Sequence, residues 1–173
     1  MAMPSDPIDR MNEAWRRELP SLDPSALEIV GRVIVLAKHL EKSVESSLTK
    51  HNLTLGQYDI LATLRRNGPR GGLTPSQLLQ NIMLSSGGLT SRLDRLEADG
   101  MIVRKPDPDD RRGVRVWLTA RGRKRIEAAT ATRFQEAEQS LPPLNAEEQA
   151  TLAELLRKWL LAIAQPANTT ETI

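Results

Sequence analysis

The 173-residue chain contains no cysteine, and aromatic residues make up only 3% of it. The absence of cysteine excludes sensing of oxidants by thiol chemistry and any metal site built on thiolates. The single Phe and the single Tyr are too few to build aromatic platforms for stacking unpaired bases. Any nucleic-acid partner is therefore expected to be double-stranded.

Long apolar runs are missing as well. No stretch approaches the roughly 20 apolar residues that a membrane-spanning helix needs. The opening segment MAMPSDPIDRMNEAW carries no apolar signal core, so we expect the protein to be cytoplasmic. The length and the 39% apolar content predict one domain with helical extensions, and a two-fold dimer would supply the core that long helices need.

Motifs for catalysis or cofactor binding are also scarce. His39 and His51 have neither a second metal ligand at helical spacing nor a nucleophile beside them. No glycine-rich loop followed by Lys-Ser or Lys-Thr is present to bind a phosphate. The sequence therefore predicts no enzyme, no metal site and no cofactor.

Charge is distributed unevenly along the chain. Residues 60–126 contain 14 Lys and Arg against 6 Asp and Glu, a net charge of +8, whereas residues 1–59 have a net charge of −2 and residues 127–173 of −4. A basic middle segment between two acidic ends favours a polyanionic partner. An anionic membrane surface is disfavoured because no terminal basic amphipathic segment is present. Duplex DNA is the expected partner.

The basic segment contains the pattern of a short helix. Ser85 could cap its start, and Gly100 could end it in a left-handed conformation. Leu89, Leu93 and Leu96 recur on one face and are predicted to be buried. An ordinary amphipathic helix with a solvated outer side would show the same pattern. The residues predicted to face a major groove from this helix are Ser86, Gly87, Thr90, Ser91 and Arg95.

A β-hairpin is predicted directly after this helix. Residues 101–105 and 114–118 are short β-prone runs that flank the polar turn PDPDDRRG. Arg111 and Arg112 lie at the tip, where the two preceding aspartates could orient their guanidinium groups for a narrow minor groove. The alternative is an exposed hairpin with a solvated charge cluster.

Two further helices are expected upstream of these elements. Thr54 begins one that ends at Asn67 and Gly68, and Thr74 caps a shorter one with Pro75 at its first position. In the shorter helix, Leu78, Leu79 and Ile82 are expected to face inward. Its predicted DNA contacts are Thr74, Ser76 and Gln77.

The remaining segments are predicted to be helical and to divide the chain. Residues 24–52 form a long helix, and Thr119 caps another that runs to about residue 138. The last helix, capped by Asn145 and Glu148, carries the apolar stripe Leu152, Leu155, Leu156, Trp159, Leu160 and Ile163. We expect the long first helix and this last one to form a dimer interface, with packing inside one subunit as the alternative. The predicted division is 1–53 for dimerisation and ligand cover, 54–118 for DNA binding, 119–165 for dimerisation and 166–173 as a disordered tail.

The order of helix, helix and hairpin, with DPDDRRG followed by LTARGR, resembles the winged helix-turn-helix of the multiple antibiotic resistance regulator (MarR) family of bacterial transcription factors. The resemblance covers residues 54–126. It implies a mainly α fold with a small β-hairpin wing, and a homodimer whose DNA affinity is changed by a small molecule. The expected function is repression from a palindromic operator. A ligand-independent architectural DNA-binding protein is the alternative.

A possible effector site contains Asp59 and Arg66 on one stripe of a helix, Arg92, and Trp15 in a short N-terminal helix. None of the first three belongs obviously to the core. A flat aromatic surface beside two guanidinium groups suits a planar anion. These four residues also fall where the urate-responsive branch of the family carries its tryptophan, aspartate and two arginines. That resemblance implies that the arginines engage a purine anion, that Trp15 packs on it and that Asp59 pairs with an arginine; a solvated Asp59 and Arg66 pair, or a phenolic carboxylate as effector, are the alternatives.

Overall fold

The computed structural model describes residues 4–67, 72–82, 88–108, 110 and 113–164. Within that part the order is α1 (Pro7–Glu18), α2 (Ser25–Thr49), α3 (Leu55–Arg66), α4 (Pro75–Asn81), α5 (Leu89–Ala98), β1 (Ile102–Pro106), β2 (Val114–Leu118), α6 (Ala120–Ser140) and α7 (Ala146–Ala164). The prediction of a mainly helical chain with a two-stranded hairpin is confirmed. The predictions for Ser85, Ser86, Gly87, Asp109, Arg111, Arg112 and residues 166–173 fall outside the described residues.

The chain divides into two compact units, Met1–Ala137 and Glu138–Ile173. The core of the first unit is formed by α3 together with residues from α2, α4, α5, the hairpin and α6. Its fully buried side chains include Leu48, Ile60, Leu61, Leu78, Leu96, Ile102, Val116 and Ile126. In the second unit, α7 buries none of its residues.

The predicted starts of α3 and α4 are confirmed, and both rest on reciprocal capping. The Thr54 hydroxyl accepts a hydrogen bond from the backbone N–H of Gln57, whose side-chain oxygen accepts one from the backbone N–H of Thr54. Thr74 and Gln77 repeat the arrangement at the start of α4. Each pair satisfies two backbone donors that would otherwise lack partners. The polar spacing of the sequence therefore sets where the helix-turn-helix begins.

The predicted caps of the last two helices are also present. The hydroxyl of Thr119 accepts a hydrogen bond from the backbone N–H of Gly122 at 3.0 Å, which fixes the start of α6. The side chain of Asn145 accepts from the N–H of Glu148, and the carboxylate of Glu148 accepts from the N–H of Asn145, at the start of α7. Both helices begin where the sequence predicted.

The start of α5 and the inward face of α4 differ from expectation. α5 begins at Leu89 with Gly88 at its N-cap, three residues after the predicted cap position. Leu79 is 43% exposed, because only Leu78 and, in part, Ile82 pack on the core from α4. The end of α5 agrees with prediction, since Gly100 adopts a φ of +66° and the N–H of Met101 closes the last turn onto the carbonyl of Leu96.

The hairpin is an antiparallel pair in which Ile102 lies opposite Leu118 and Pro106 lies opposite Val114. A third segment joins it, because Leu73 and Val116 exchange backbone hydrogen bonds of 3.1 and 2.8 Å. Gly72 precedes this bridge with a φ of +59°, and a Cβ there would lie 2.6 Å from the Trp117 indole. The wing is thus fastened to the loop that leads into α4.

The first helix packs on α2 through charged contacts at its outer edge. Arg32 pairs with Asp6 at 2.8 Å and with Asp9, and Arg16 pairs with Glu28 at 2.7 Å. The backbone N–H of Asp9 and the Arg32 guanidinium both donate to the carboxylate of Asp6, so the pKa of Asp6 lies below its ordinary value. These contacts hold α1 against the first half of α2.

Most of the apolar stripe of α2 lies outside the single-chain core. Val44 and Leu48 are buried, whereas Val30, Ile34 and Leu40 are exposed. Among the described residues, no helix combines the length and the apolar composition needed to cross a membrane.

Candidate functional site

The outer face of α5 presents the polar side chains that the sequence placed there. Thr90, Ser91 and Arg95 are exposed on the side opposite the buried leucines of this helix. The hydroxyl of Ser91 donates to the carbonyl of Gly88 at 2.9 Å. The face is narrow and carries hydrogen-bonding groups, and a major groove of duplex DNA admits one such helix.

The three residues predicted to contact DNA from the start of α4 differ in their exposure. Ser76 and Gln77 are exposed, but Thr74 is half-buried. The hydroxyl of Thr74 and the side-chain oxygen of Gln77 are both used in the capping box. A DNA contact from Gln77 would therefore come from its amide NH2 group.

Arg104, in β1, is a positioning residue that the sequence did not single out. Its guanidinium pairs with Asp94 at 2.7 Å and with Glu97 at 3.1 Å, and its backbone N–H donates to Glu97. The pairing offsets part of the negative charge of Asp94, the acidic group on the exposed face of α5. No sequence pattern indicates this contact, because it joins two elements whose packing is set by the fold.

The base of the wing is held by a second ion pair. Arg115 Nε lies 2.9 Å from the carboxylate of Asp107, and both side chains are largely buried. The contact is an ion pair rather than an aligned hydrogen bond from that nitrogen. The N–H of Gly113 donates to the carbonyl of Asp110, and the N–H of Asp107 donates to the carbonyl of Gly113, which closes the loop. The predicted tip residues Arg111 and Arg112 lie outside the described residues.

Asp59 and Arg66 meet in a cavity of about 500 Å³. Arg66 Nη2 lies 4.0 Å from Asp59 Oδ1 and donates a hydrogen bond of 2.8 Å to the Thr63 hydroxyl. Asp59 is only 6% exposed, which corrects the expectation that it lies away from the core. The pair is therefore not simply solvated, because its acidic member is buried and its basic member is half-exposed.

Arg92 lines an adjoining cavity of about 710 Å³. The two cavities have Glu41 and Leu55 in common among their lining residues. The Arg92 guanidinium lies directly over Gly56, where a Cβ would come within 2.9 Å of it. The structure thus places Arg92 next to the cavity of Asp59 and Arg66 and not inside it.

Trp15 lies elsewhere in the same chain. It is 46% exposed and lines a third cavity, of about 250 Å³, together with Pro24 and Leu27 at the start of α2. The first cavity is lined by α2 residues from Ala37 onward. Because a helix rises about 1.5 Å per residue, Leu27 and Leu40 lie roughly 20 Å apart along α2. One chain therefore does not bring Trp15 to the cavity of Asp59.

Several residues that the sequence did not indicate also line the first cavity, and the charged Glu41 of α2 is among them. Tyr58 of α3 and Arg133 and Phe134 of α6 line it. Phe134 is the only phenylalanine of the chain and is exposed, next to an arginine on a helix of small and polar residues. An exposed aromatic ring beside an arginine was the available sequence signal for a binding site. The sequence did not indicate that this site is shared with α3, because α6 lies far from α3 along the chain.

Comparisons with known proteins agree with this architecture. The model of the MarR family matches residues 51–113. The HTH-type transcriptional regulator PecS of Dickeya dadantii is 34% identical over 144 residues, which cover 83% of this chain and 87% of the relative. The multiple antibiotic resistance protein MarR of Salmonella typhimurium is 35% identical over 133 residues, which cover 76% of this chain and 90% of the relative. The crystal structure of a mutant MarR from E. coli complexed with operator DNA matches with a TM-score of 0.67 and 29% identity, covering 84% of this chain and 97% of that chain.

Proposed function

Since the chain belongs to the MarR family of transcriptional regulators, we propose that it is a homodimeric repressor that leaves a near-palindromic operator when a small aromatic anion binds. The observation that carries the proposal is the exposed polar face of α5, with the wing tied to that helix through Arg104. Both elements belong to the segment with a net charge of +8. A mutant MarR from E. coli, similar to this chain, is complexed with operator DNA in its crystal structure.

The proposed mode of DNA recognition uses α5 and the wing. α5 would enter the major groove with Thr90, Ser91 and Arg95 toward the base edges, and the wing would reach the adjacent minor groove with Arg111 and Arg112. Ser86, Gly87 and the first turn of α4 complete the contact surface. Phosphate contacts from the basic segment provide affinity, and the α5 contacts provide specificity.

Dimerisation follows from the apolar surface that one chain leaves exposed. The exposed large apolar side chains include Ile29, Ile34 and Leu36 of α2 and Leu155, Leu160 and Ile163 of α7. A second copy would bury these faces. A two-fold dimer places two α5 helices in successive major grooves about 34 Å apart, so the operator is expected to be a near-palindrome.

Effector binding involves Asp59 and Arg66 in their cavity and Arg92 in the adjoining one, with urate as the first compound to test and phenolic carboxylates as the second. Trp15 lies too far away to contribute within one chain. If Trp15 packs on the effector, it comes from the second subunit of the dimer. A compound bound beside α3 and α5 would favour one spacing of the recognition helices over another, with a coupling of roughly 1–3 kcal/mol.

A mobility-shift assay on the DNA upstream of the protein's own gene tests the DNA-binding half of the proposal. Arg95→Ala should weaken binding by roughly 1–3 kcal/mol if Arg95 reads a base, and should relax the sequence preference. Arg16→Ala is the matched control, because Arg16 lies outside the basic segment and is also paired with an acidic residue, Glu28. Failure of the wild-type protein to shift any duplex at modest ionic strength would contradict the proposal.

The same assay with urate, xanthine and salicylate tests the effector half. Arg92→Ala should leave operator binding largely intact and should abolish release by urate. Full retention of the urate response by this variant would remove Arg92 from the effector site. A protein that binds DNA with no sequence preference and no response to any of the three compounds would be an architectural protein instead.

A further inference from the structure

Gly56 is the second residue of α3, at a position where the backbone itself does not require glycine. It lies inside the helix that begins at Leu55, and it is not among the glycines with a positive φ. Glycine within a helix is less favourable than alanine, because it loses more conformational freedom on folding. The reason for a glycine here therefore lies in its surroundings.

The guanidinium group of Arg92, from α5, occupies the space beside Gly56. A Cβ at Gly56 would lie 2.9 Å from Cζ and from Nε of Arg92, and 3.2 Å from its Nη1. Non-bonded heavy atoms pack at about 3.5–4.0 Å, so a methyl group at this position would displace the guanidinium. The missing side chain of Gly56 thus provides the space in which the end of Arg92 lies.

Four charged side chains line the cavity next to this contact. Glu41 and Glu45 belong to α2, whereas Arg92 and Arg95 belong to α5. The cavity of about 710 Å³ is large enough to receive a displaced guanidinium, and its two carboxylates would attract one. Two positions are therefore available to Arg92, one over the first turn of α3 and one toward the carboxylates of α2.

We propose that Gly56 is a positioning residue, which lets Arg92 lie over α3 and so keeps it away from Glu41 and Glu45. An Arg92 that moved to these carboxylates would join α5 to α2 through an ion pair, and its guanidinium would be withdrawn from an anionic effector. The regulatory part of this inference rests on the proposed function, whereas the contact itself requires neither DNA nor effector.

A double-mutant cycle, measured by urea unfolding of the full-length protein, tests the contact. In the Arg92→Ala background, Gly56→Ala should raise the folding equilibrium constant by up to roughly fivefold, because alanine favours the helix. In the wild-type background this gain should be absent, because the new methyl group displaces the Arg92 guanidinium. An equal gain in both backgrounds would overturn the proposal.

Gly31→Ala is the matched control for the cycle. Gly31 also lies within a helix, α2, and the three heavy atoms nearest to a Cβ there would all belong to Ile8. Its effect on unfolding should be the same with and without Arg92. If both glycine variants depended equally on Arg92, the coupling would be a general property of the Arg92→Ala protein and the assignment to Gly56 would fall.

Release from operator DNA by urate tests the regulatory part. Gly56→Ala should leave operator affinity within about twofold of the wild type and should raise the urate concentration for half-release roughly tenfold, since a hydrogen bond to a charged group is lost. Adding Glu41→Gln and Glu45→Gln should restore part of the response, because the displaced Arg92 then has no carboxylates to bind. An unchanged urate response in Gly56→Ala would overturn the regulatory role.

The two experiments fail independently. If the unfolding cycle shows no coupling, the positioning role of Gly56 is overturned even if urate releases the wild type from its operator. If the coupling is present but the wild type shifts no duplex, the positioning role stands and the proposed function falls.

Discussion

Asn12 is a polar side chain in an apolar, buried environment. It lies on α1, one turn after the buried Ile8, and is only 1% exposed. Neither its amide nitrogen nor its amide oxygen has a hydrogen-bond partner. A buried amide without partners costs free energy, because its hydrogen bonds to water are lost on folding and are not replaced.

Replacing this amide by an apolar side chain should stabilise the protein. Asn12→Leu is expected to raise the free energy of unfolding by about 1–3 kcal/mol, since an unsatisfied polar group is removed and apolar surface is buried. Urea unfolding followed by circular dichroism measures the change. Glu13→Leu, at the adjacent exposed position, controls for the helix propensity of leucine. A stability of Asn12→Leu at or below that of the wild type would contradict the absence of a partner for Asn12.

For Asp59, the sequence predicted the position on the helix but not the burial. The spacing of Asp59 and Arg66 predicted that they share a stripe of α3, and they do approach within 4.0 Å. Burial of Asp59 was not predicted, because α3 is covered on several sides and a helical wheel assumes one buried face. Leu79 of α4 shows the opposite error, because its helical spacing predicted burial and the fold leaves it exposed.

At the scale of elements, helix ends were the most predictable feature. Thr54, Thr74, Thr119 and Asn145 each cap the helix that the sequence assigned to them. Capping depends on side chains within three residues, so local sequence suffices. The docking of α1 on α2, which leaves Trp15 roughly 20 Å along α2 from Asp59, depends on tertiary contacts and could not be read from spacing. The predicted segment boundaries and the roles of the site residues stay predictions.

The tie between the wing and the loop before α4 depends on Gly72. Gly72→Ala should lower the free energy of unfolding by about 2–4 kcal/mol, from the left-handed conformation and from the clash with Trp117. Urea unfolding measures the loss, and tryptophan fluorescence in a background with Trp15→Phe and Trp159→Phe reports the displacement of Trp117.

Gly100→Ala separates the two causes of that loss. Gly100 has a similar φ of +66°, but a Cβ there would meet nothing nearer than 3.9 Å. Only the conformational cost should remain, about 1–2 kcal/mol. Equal losses in the two variants would show that the indole contact contributes nothing.

At the scale of the whole molecule, the exposed apolar surface is the dominant feature of a single chain. Leu160→Glu, at a side chain that is 67% exposed on α7, should convert a dimer into monomers, because a buried unpaired carboxylate opposes association. It should also weaken operator binding, since two linked recognition helices are needed. Size-exclusion chromatography with light scattering measures the mass. Thr151→Glu adds the same charge at an exposed polar position of α7 and should remain a dimer, whereas a Leu160→Glu protein that stays dimeric would exclude this face from the interface.

The wing is attached on both sides, to the α4 loop through the Leu73 and Val116 bridge and to α5 through Arg104. Parts joined on both sides are expected to move together. If α5 and the wing contact DNA as proposed, an effector would release both at once and would not lift the wing alone. Control would then be all-or-none for each lobe, and intermediate gene expression would reflect the fraction of molecules bound rather than a half-released form.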